Sequence, residues 1–488
     1  MLSTALVFLP IAGALLTWLI PWASGRAAGG FALLVALAQL GLWTVALGRM
    51  DFASGALQEA TETPWFGDLG VAYKVGLYDF SLWLVGLTAL VTVAAIAYGT
   101  WAGRERPRAY FGSLLFLAGA TTGVFVAQDL LLFYVFFEAM LIPLYVLIGV
   151  WGGPRRGAAT LKFIVYTMAG SLLMLVSVIA LGLGNGTFDL TELSASTNHW
   201  IFLGFMAAFA VKAPLWPFHG WLPDAYREAP AEVSALLSGV ISKTAAYGVL
   251  RIVLPTFPEP VDDWRVVVLV LASIGLVYGS LLAFRAPDVR GVVAYSSLSQ
   301  MCLIVIGLFA FNDSGLTGAV LHMVSHGLVS AGLFVLAGTI ERRTATDELA
   351  LLGGMARGRP RLATLLITLS VIALAVPFSV AFAGEFLILN GVFAVGWGWA
   401  VVGAAAIVLA ALYMLRLVSA VLHLEQGEAV NEVQLDLRPA EVGLVGALAV
   451  ALVALSFWPA AITDRVFGGE PARAVESGFA GRGGEASP

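Results

Sequence analysis

The chain has 488 residues, of which 60% are hydrophobic and 12% are charged, with a formal net charge of −5. Soluble domains carry about a quarter charged residues, so a water-exposed globular protein is excluded, and the small net charge leaves no basic footprint for nucleic acid. The one cysteine, Cys302, lies in an apolar run and supports neither a disulfide framework nor a thiolate metal site.

A bilayer core of about 30 Å takes about twenty apolar residues per helix. Met1 to Ile20 lacks a basic start and runs on as a full-length apolar stretch, which predicts a first transmembrane helix at 2–20 rather than a cleavable leader. Further spans are predicted at 29–48, 78–101, 111–128, 129–151, 160–183, 200–219, 231–254, 264–284, 290–311, 315–340, 362–395, 399–423 and 439–462. The expected fold is therefore an all-α polytopic membrane protein of about fourteen transmembrane helices. The 362–395 stretch is too long for one straight crossing and contains Pro377, which removes a backbone donor and breaks a helix.

Basic residues set the orientation. Arg26, then Arg104, Arg106 and Arg108, Arg155 and Arg156, Arg227, Arg285, and finally Arg342, Arg343, Arg357, Arg359 and Arg361 fall in loops of one side. The opposite loops hold Arg49 and Lys74 and otherwise acids such as Asp189, Glu192, Glu259 and Asp262. The positive-inside rule puts the arginine-rich side in the cytoplasm of a bacterial cell and both termini on the extracytoplasmic side of the inner membrane. The loop 424–438, with Glu425, Glu428, Glu432 and Asp436, is expected to lie along the surface, and the Gly-, Ala- and Ser-rich tail after Phe467 to be poorly ordered.

Spans 4–8 and 9–13 share sparse landmarks. Phe125 to Asp129 resembles Phe284 to Asp288, Leu161-Lys162 lines up with Leu321-His322, Tyr166 with His326, Pro214 with Pro377, and Tyr247 with Tyr413. A unit of five helices returns to the membrane from the opposite face, so the pattern predicts two inverted repeats with Pro-broken helices in spans 7 and 12, a transporter architecture. The expected organisation is 1–108 (helices 1–3), 109–256 (first repeat), 257–424 (second repeat) and 425–488 (surface loop, helix 14 and tail).

The chain contains four lysines, and Lys212 and Lys243 fall inside apolar spans, as do Glu138 and Glu385. A centred charge costs at least about 2.5–3.5 kcal/mol on insertion scales, so the set requires a reason. Burial disfavours the charged form of carboxylates and amines alike, which poises such groups to exchange protons near neutral pH. An ion pair of Glu138 with Lys212 would hold the lysine charged, and breaking it would release the proton. A structural salt bridge is the plainer alternative, although such pairs rarely outdo apolar packing. Pro214 and Pro217 follow Lys212, and the half-helix ends they create can bind water or ions.

His322 and His326 are four apart on one helical face; they form either a proton relay or a packed pair, and no third ligand suggests a metal. Ser296, Ser297 and Ser299 can support water or simply bond their own backbone. His219 and Asp129 are candidate access or accessory groups, though Asp129 equally suits a helix N-terminus. No Walker loop, dinucleotide fingerprint, haem motif or iron–sulfur spacing occurs, so no nucleotide-binding site is expected and the chain carries no engine of its own.

The stretch from Phe209 through Lys212, Pro214, Pro217 and His219 to Pro230 resembles the signature of the antiporter-like subunits of respiratory complex I. Tyr134 to Glu138, Ser242 to Gly248, His326-Gly-Leu with Gly332-Leu-Phe, and Gly384-Glu385-Phe386 agree with it in family order. Glu385, where other branches are expected to carry lysine, and the absence of a long C-terminal lateral helix make the M-type branch of NADH:quinone oxidoreductase the best match. The resemblance implies a modulating carboxylate at Glu138 paired with Lys212, a connecting lysine at Lys243, a central histidine at His326 and an exit-side carrier at Glu385. It also implies no cofactor in this chain, with FMN, iron–sulfur clusters and quinone in partner subunits, and neighbouring antiporter-like subunits and the lipid bilayer as partners. His322 stands where a neutral polar residue is expected, and Phe378 follows Pro377 where glycine is usual. A multisubunit cation/proton antiporter of the Mrp type, a membrane-bound hydrogenase and a passive structural arm are the competing readings.

Overall fold

The computed structural model describes residues 1–431 and 434–467. Glu432 of the surface loop and the tail beyond Phe467 lie outside the described residues. Twelve helices among those described are long and apolar enough to cross a membrane: Leu2–Leu19, Gly25–Arg49, Asp79–Ala102, Pro107–Val126, Leu130–Trp151, Arg156–Asn185, Ala231–Thr256, Pro258–Arg285, Val289–Leu308, Asp313–Thr344, Trp397–His423 and Pro439–Phe457. Three shorter apolar helices accompany them, His199–Lys212, Pro360–Ala373 and Val380–Val395. The chain is a multi-pass, overwhelmingly helical membrane protein.

Helix starts follow from side chains that satisfy the first free N–H groups. Asp129, Asn198, Asp288, Asn312 and Ser379 each accept a backbone N–H of the helix that follows. Proline occupies the first positions of the helices beginning at Pro107, Pro360 and Pro439, where its missing donor costs nothing. The polarity of these helices is inverted relative to a water-soluble fold. Along Arg156–Asn185 the exposed stripe is Leu161, Val165, Leu172, Val176 and Leu183, while Thr160, Thr167, Ser171 and Ser177 are buried. That is the expected arrangement when hydrocarbon rather than water surrounds the bundle.

Two expectations need correction. The segment between the second and third membrane helices is not a plain loop but an antiparallel hairpin, Gln58–Phe66 with Val71–Leu77, which pairs Glu62 with Lys74 and Thr63 with Tyr73, so the fold is not purely α. Gly70 turns it with φ +67°, and a Cβ there would lie 3.2 Å from the Gly186 carbonyl, so glycine is required. The hairpin is tied down by Gln128 N–H on the Lys74 carbonyl (2.8 Å), by Ala72 N–H on Asp129 (3.1 Å) and by an ion pair of Lys74 with Asp189. Second, the 200–219 span ends at Lys212, because the prolines at 214 and 217 deny it donors. The 362–395 span breaks around Pro377 as expected, into Pro360–Ala373 and Val380–Val395. Residues 434–438 fold back over 343–361, where Arg343 and Arg359 donate to the Leu435 and Gln434 carbonyls.

Asp313–Thr344 is the spine. At about 1.5 Å per residue its 32 residues exceed the thickness of a bilayer core, and its apolar window is fully enclosed. It packs against Ala231–Thr256, Val289–Leu308 and Val380–Val395. The contact with Ala231–Thr256 is backbone on backbone: a Cβ on Gly327 would lie 2.5 Å from the Gly239 carbonyl. That closeness brings the side chains on either side of the two glycines together.

Candidate proton path

The buried polar groups cluster around this spine. Lys243 is fully enclosed, and its helix widens into π-turns at Leu237–Ile241 and Val249–Val253 on either side of it. Its ammonium donates to the Ser238 carbonyl at 2.5 Å and to Ser242 Oγ at 3.4 Å. Among the described residues it has no carboxylate partner. The Ser238 hydroxyl donates to Ser297 Oγ at 2.8 Å and also bonds Ser330. Ser297 Oγ lies 3.2 Å from His326 Nε2. Side chains of three helices thus form one hydrogen-bonded run from Ser238 and Ser330 through Ser297 to His326, and Lys243 joins it only through the Ser238 backbone carbonyl.

His322 and His326 stack with ring centroids 6.1 Å apart. His322 Nε2 pairs with Gln300 Oε1 at 2.7 Å, and its Nδ1 has no partner. Glu385 is fully buried, with both oxygens unpartnered and Gln300 as a polar neighbour. Its helix reaches the spine through Gly384, where a Cβ would lie 3.1 Å from that of His322.

On the other side of Lys243, Lys212 is 2% exposed at the last turn of its helix. Its ammonium donates to the Phe137 carbonyl at 3.1 Å and sits 3.5 Å from the Phe137 ring centroid. Glu138 is close enough to act on Lys212 electrostatically, but the two form no ion pair; Glu138 is half-buried, and one of its oxygens is enclosed without a partner. The direct pair expected from the sequence is therefore replaced by a carbonyl and a ring face contributed by the residue next to Glu138. The break after Lys212 is finished by Trp221, whose indole donates to the Val211 carbonyl at 2.9 Å, and by Leu215 N–H on the Ala210 carbonyl at 2.8 Å.

The remaining candidates take other roles. Asp129 accepts from the N–H groups of Leu131 and Leu132, so it caps a helix and anchors the hairpin. His219 packs edge-on against Tyr278, centroids 5.2 Å apart, with Nδ1 unpartnered. Ser296 bonds the Val293 carbonyl and Ser299 pairs with Ser280, so of the three serines only Ser297 joins the run. Sequence reading missed Ser238, Ser330 and Gln300; an amide inside an apolar span was the available signal for Gln300. It also missed Glu232, fully buried and held by Arg104 (2.6 Å) and Tyr110 (2.5 Å). Burial opposes the Arg104 charge, yet the Glu232 carboxylate outweighs it and holds the guanidinium above its ordinary range. Among the described residues no group of three or more His, Cys, Asp or Glu is placed to hold a metal.

Residues 127–411 match the family model described as NADH:quinone oxidoreductase/Mrp antiporter, TM. The chain is 35% identical over 490 aligned residues to NADH-quinone oxidoreductase subunit M of Rhodobacter capsulatus, covering 95% of this chain and 94% of that protein. Its structure superposes on a chain of respiratory complex I from Thermus thermophilus with a TM-score of 0.88 at 30% identity, covering 98% and 99% of the two chains. A chain of the Mrp complex from Dietzia sp. shares the fold, with a TM-score of 0.85 at 22% identity over 99% and 98% of the two chains. The protein belongs to the NADH:quinone oxidoreductase/Mrp antiporter transmembrane family, in which it is an M-type antiporter-like subunit.

Proposed function

We propose that this chain translocates protons as a membrane-arm subunit of a proton-pumping NADH:quinone oxidoreductase, through Glu138, Lys212, Lys243, His326, His322 and Glu385. The observation that carries the reading is the hydroxyl run from Ser238 through Ser297 to His326, with the Lys243 ammonium held against the Ser238 carbonyl at its head. A buried amine bonded only to neutral oxygens is not locked in a permanent ion pair, and intramembrane ionisable groups of this kind mark proton relays. Beyond the stacked pair of histidines, Gln300 makes a separate polar link, bonding His322 and neighbouring Glu385.

In this reading the two proline-broken segments each count as one crossing, which gives about fourteen crossings, with 109–256 and 257–424 as inverted repeats. The arginine-rich loops face the cytoplasm and both termini face outward across the bacterial inner membrane. Moving a charge against the membrane potential costs about 2.3 kcal/mol per 100 mV. Electron transfer from NADH to quinone in partner subunits, which would hold the FMN and iron–sulfur clusters, supplies that energy, and neighbouring antiporter-like subunits sit against this one.

The test is Lys212→Ala in the assembled enzyme, reading proton uptake into vesicles per NADH oxidised. Pumping falls at least severalfold with assembly intact; undiminished pumping would refute the role. The subunits that copurify in detergent separate this reading from an Mrp-type antiporter.

A further inference from the structure

A groove opens outward between Asp79–Ala102, Asp313–Thr344 and Pro439–Phe457. It encloses a cavity of about 240 Å³ whose walls include Leu90, Val93, Ala97, Val335, Leu444 and Leu448. The three helices end together at one mouth of this groove. Trp101 lies in the last turn of the first, Arg342 in the last turn of the second, and Arg438 immediately precedes Pro439 of the third. The Arg342 guanidinium lies 4.3 Å, and that of Arg438 6.0 Å, from the Trp101 ring centroid.

Both arginines are exposed, and among the described residues neither has a carboxylate within ion-pair distance. Their neighbour Arg343 is already committed, to buried Glu441 at 2.6 Å. Exposed arginines ordinarily point apart into water; these two converge on one indole above an apolar trough. They also stand on the arginine-rich side, at the level where tryptophan and arginine meet lipid headgroups.

We propose that this groove binds an anionic phospholipid, its phosphate held by Arg342 and Arg438 and one acyl chain lying between the three helices. Guanidinium groups match phosphate geometry, and each basic residue near an anionic headgroup adds to membrane binding. A transmembrane helix of a neighbouring protein would fill the trough but would leave both guanidinium groups without a counter-charge at its rim.

The test uses the full-length chain in the assembly it purifies with, reconstituted into phosphatidylcholine vesicles. These carry a few mole per cent of phosphatidylglycerol bearing a photoreactive acyl chain. Adducts are expected on peptides from 79–102 and 439–457. Arg342→Gln with Arg438→Gln lowers their yield about thirtyfold, as the loss of two headgroup charges predicts, and the double lysine variant keeps it within about twofold. Equal yields from a phosphatidylcholine probe, unchanged yields in the glutamine variant, or adducts found only on a neighbouring chain would each overturn the proposal.

Discussion

The Ser238 hydroxyl donates to Ser297 Oγ at 2.8 Å across a helix contact that two glycines have drawn to backbone distance. Among the described residues, Ser297 is therefore the one side chain hydrogen-bonded to both Ser238 and His326. Ser297→Ala removes one hydroxyl and leaves no large cavity. It should lower proton pumping about tenfold, equivalent to about 1.4 kcal/mol, with the amount of assembled enzyme unchanged. Proton uptake by vesicles measures this, and Ser297→Thr should restore most of the loss.

Gly327 is expected to tolerate nothing larger. Gly327→Ala places a methyl 2.5 Å from the Gly239 carbonyl and 2.7 Å from Leu87, so the spine must move away from the Lys243 helix. Overpacking of this kind costs about 1–3 kcal/mol, and the thermal unfolding midpoint in detergent should drop accordingly. Gly157→Ala, which meets nothing within 4 Å, is the control.

Phe137 offers Lys212 a ring face at 3.5 Å as well as a carbonyl. Phe137→Leu keeps the carbonyl and removes the face, a loss of about 0.5–2 kcal/mol for the charged lysine. The ammonium is then held less tightly and deprotonates more readily. The pH at which pumping is half-maximal on its alkaline side should therefore move down, by up to about 1.5 units. A profile identical to that of the unaltered enzyme would remove Phe137 from the account.

The hairpin should show a broad plateau in its pH dependence. Burial would push Asp189 up, but Lys74 and Thr191 hold it below its ordinary 3.8. Burial would push Lys74 down, but Asp189 and Glu62 hold it above its ordinary 10.5. The Asp189 contribution is then present above pH 3.8 and lost as pH falls through its lowered value. That of Lys74 is present below 10.5 and lost as pH rises through its raised value. Hydrogen exchange across 58–77 should be flat between those limits and rise outside them. Asp189→Asn should raise it at neutral pH by an amount equivalent to about 1 kcal/mol, since Glu62 remains beside Lys74.

Glu232 is fully buried against Arg104 and Tyr110. Glu232→Gln leaves the guanidinium without its counter-charge and should destabilise the chain by about 3–5 kcal/mol, seen as loss of assembled protein. Glu232→Gln combined with Arg104→Gln should recover part of it.

What could be read in advance was whatever contradicted its surroundings. Lys212, Lys243, Glu138 and Glu385 stood out because charge is costly in hydrocarbon, and Pro214 and Pro377 because a missing donor ends a helix. The hairpin did not stand out: Gln58 to Phe66 carries two glutamates and Pro64, a composition that reads as loop and that only an edge strand tolerates. The π-turns around Lys243 were invisible, since neither glycine nor proline has to mark them. The direct Glu138–Lys212 pair failed for a geometric reason: adjacent residues on a helix point about 100° apart, and Lys212 reaches the Phe137 side.

Trp221 has one further consequence. Pro214 strands the Ala210 carbonyl, Leu215 N–H is diverted to it, and the Trp221 indole donates to the Val211 carbonyl that Leu215 would otherwise have served. Swinging that half-helix would strip a buried hydrogen bond, at a cost of about 1–3 kcal/mol. The broken segment is thus a fixed bracket rather than a hinge, and any back-and-forth at Lys212 must be carried by its own flexible four-carbon arm.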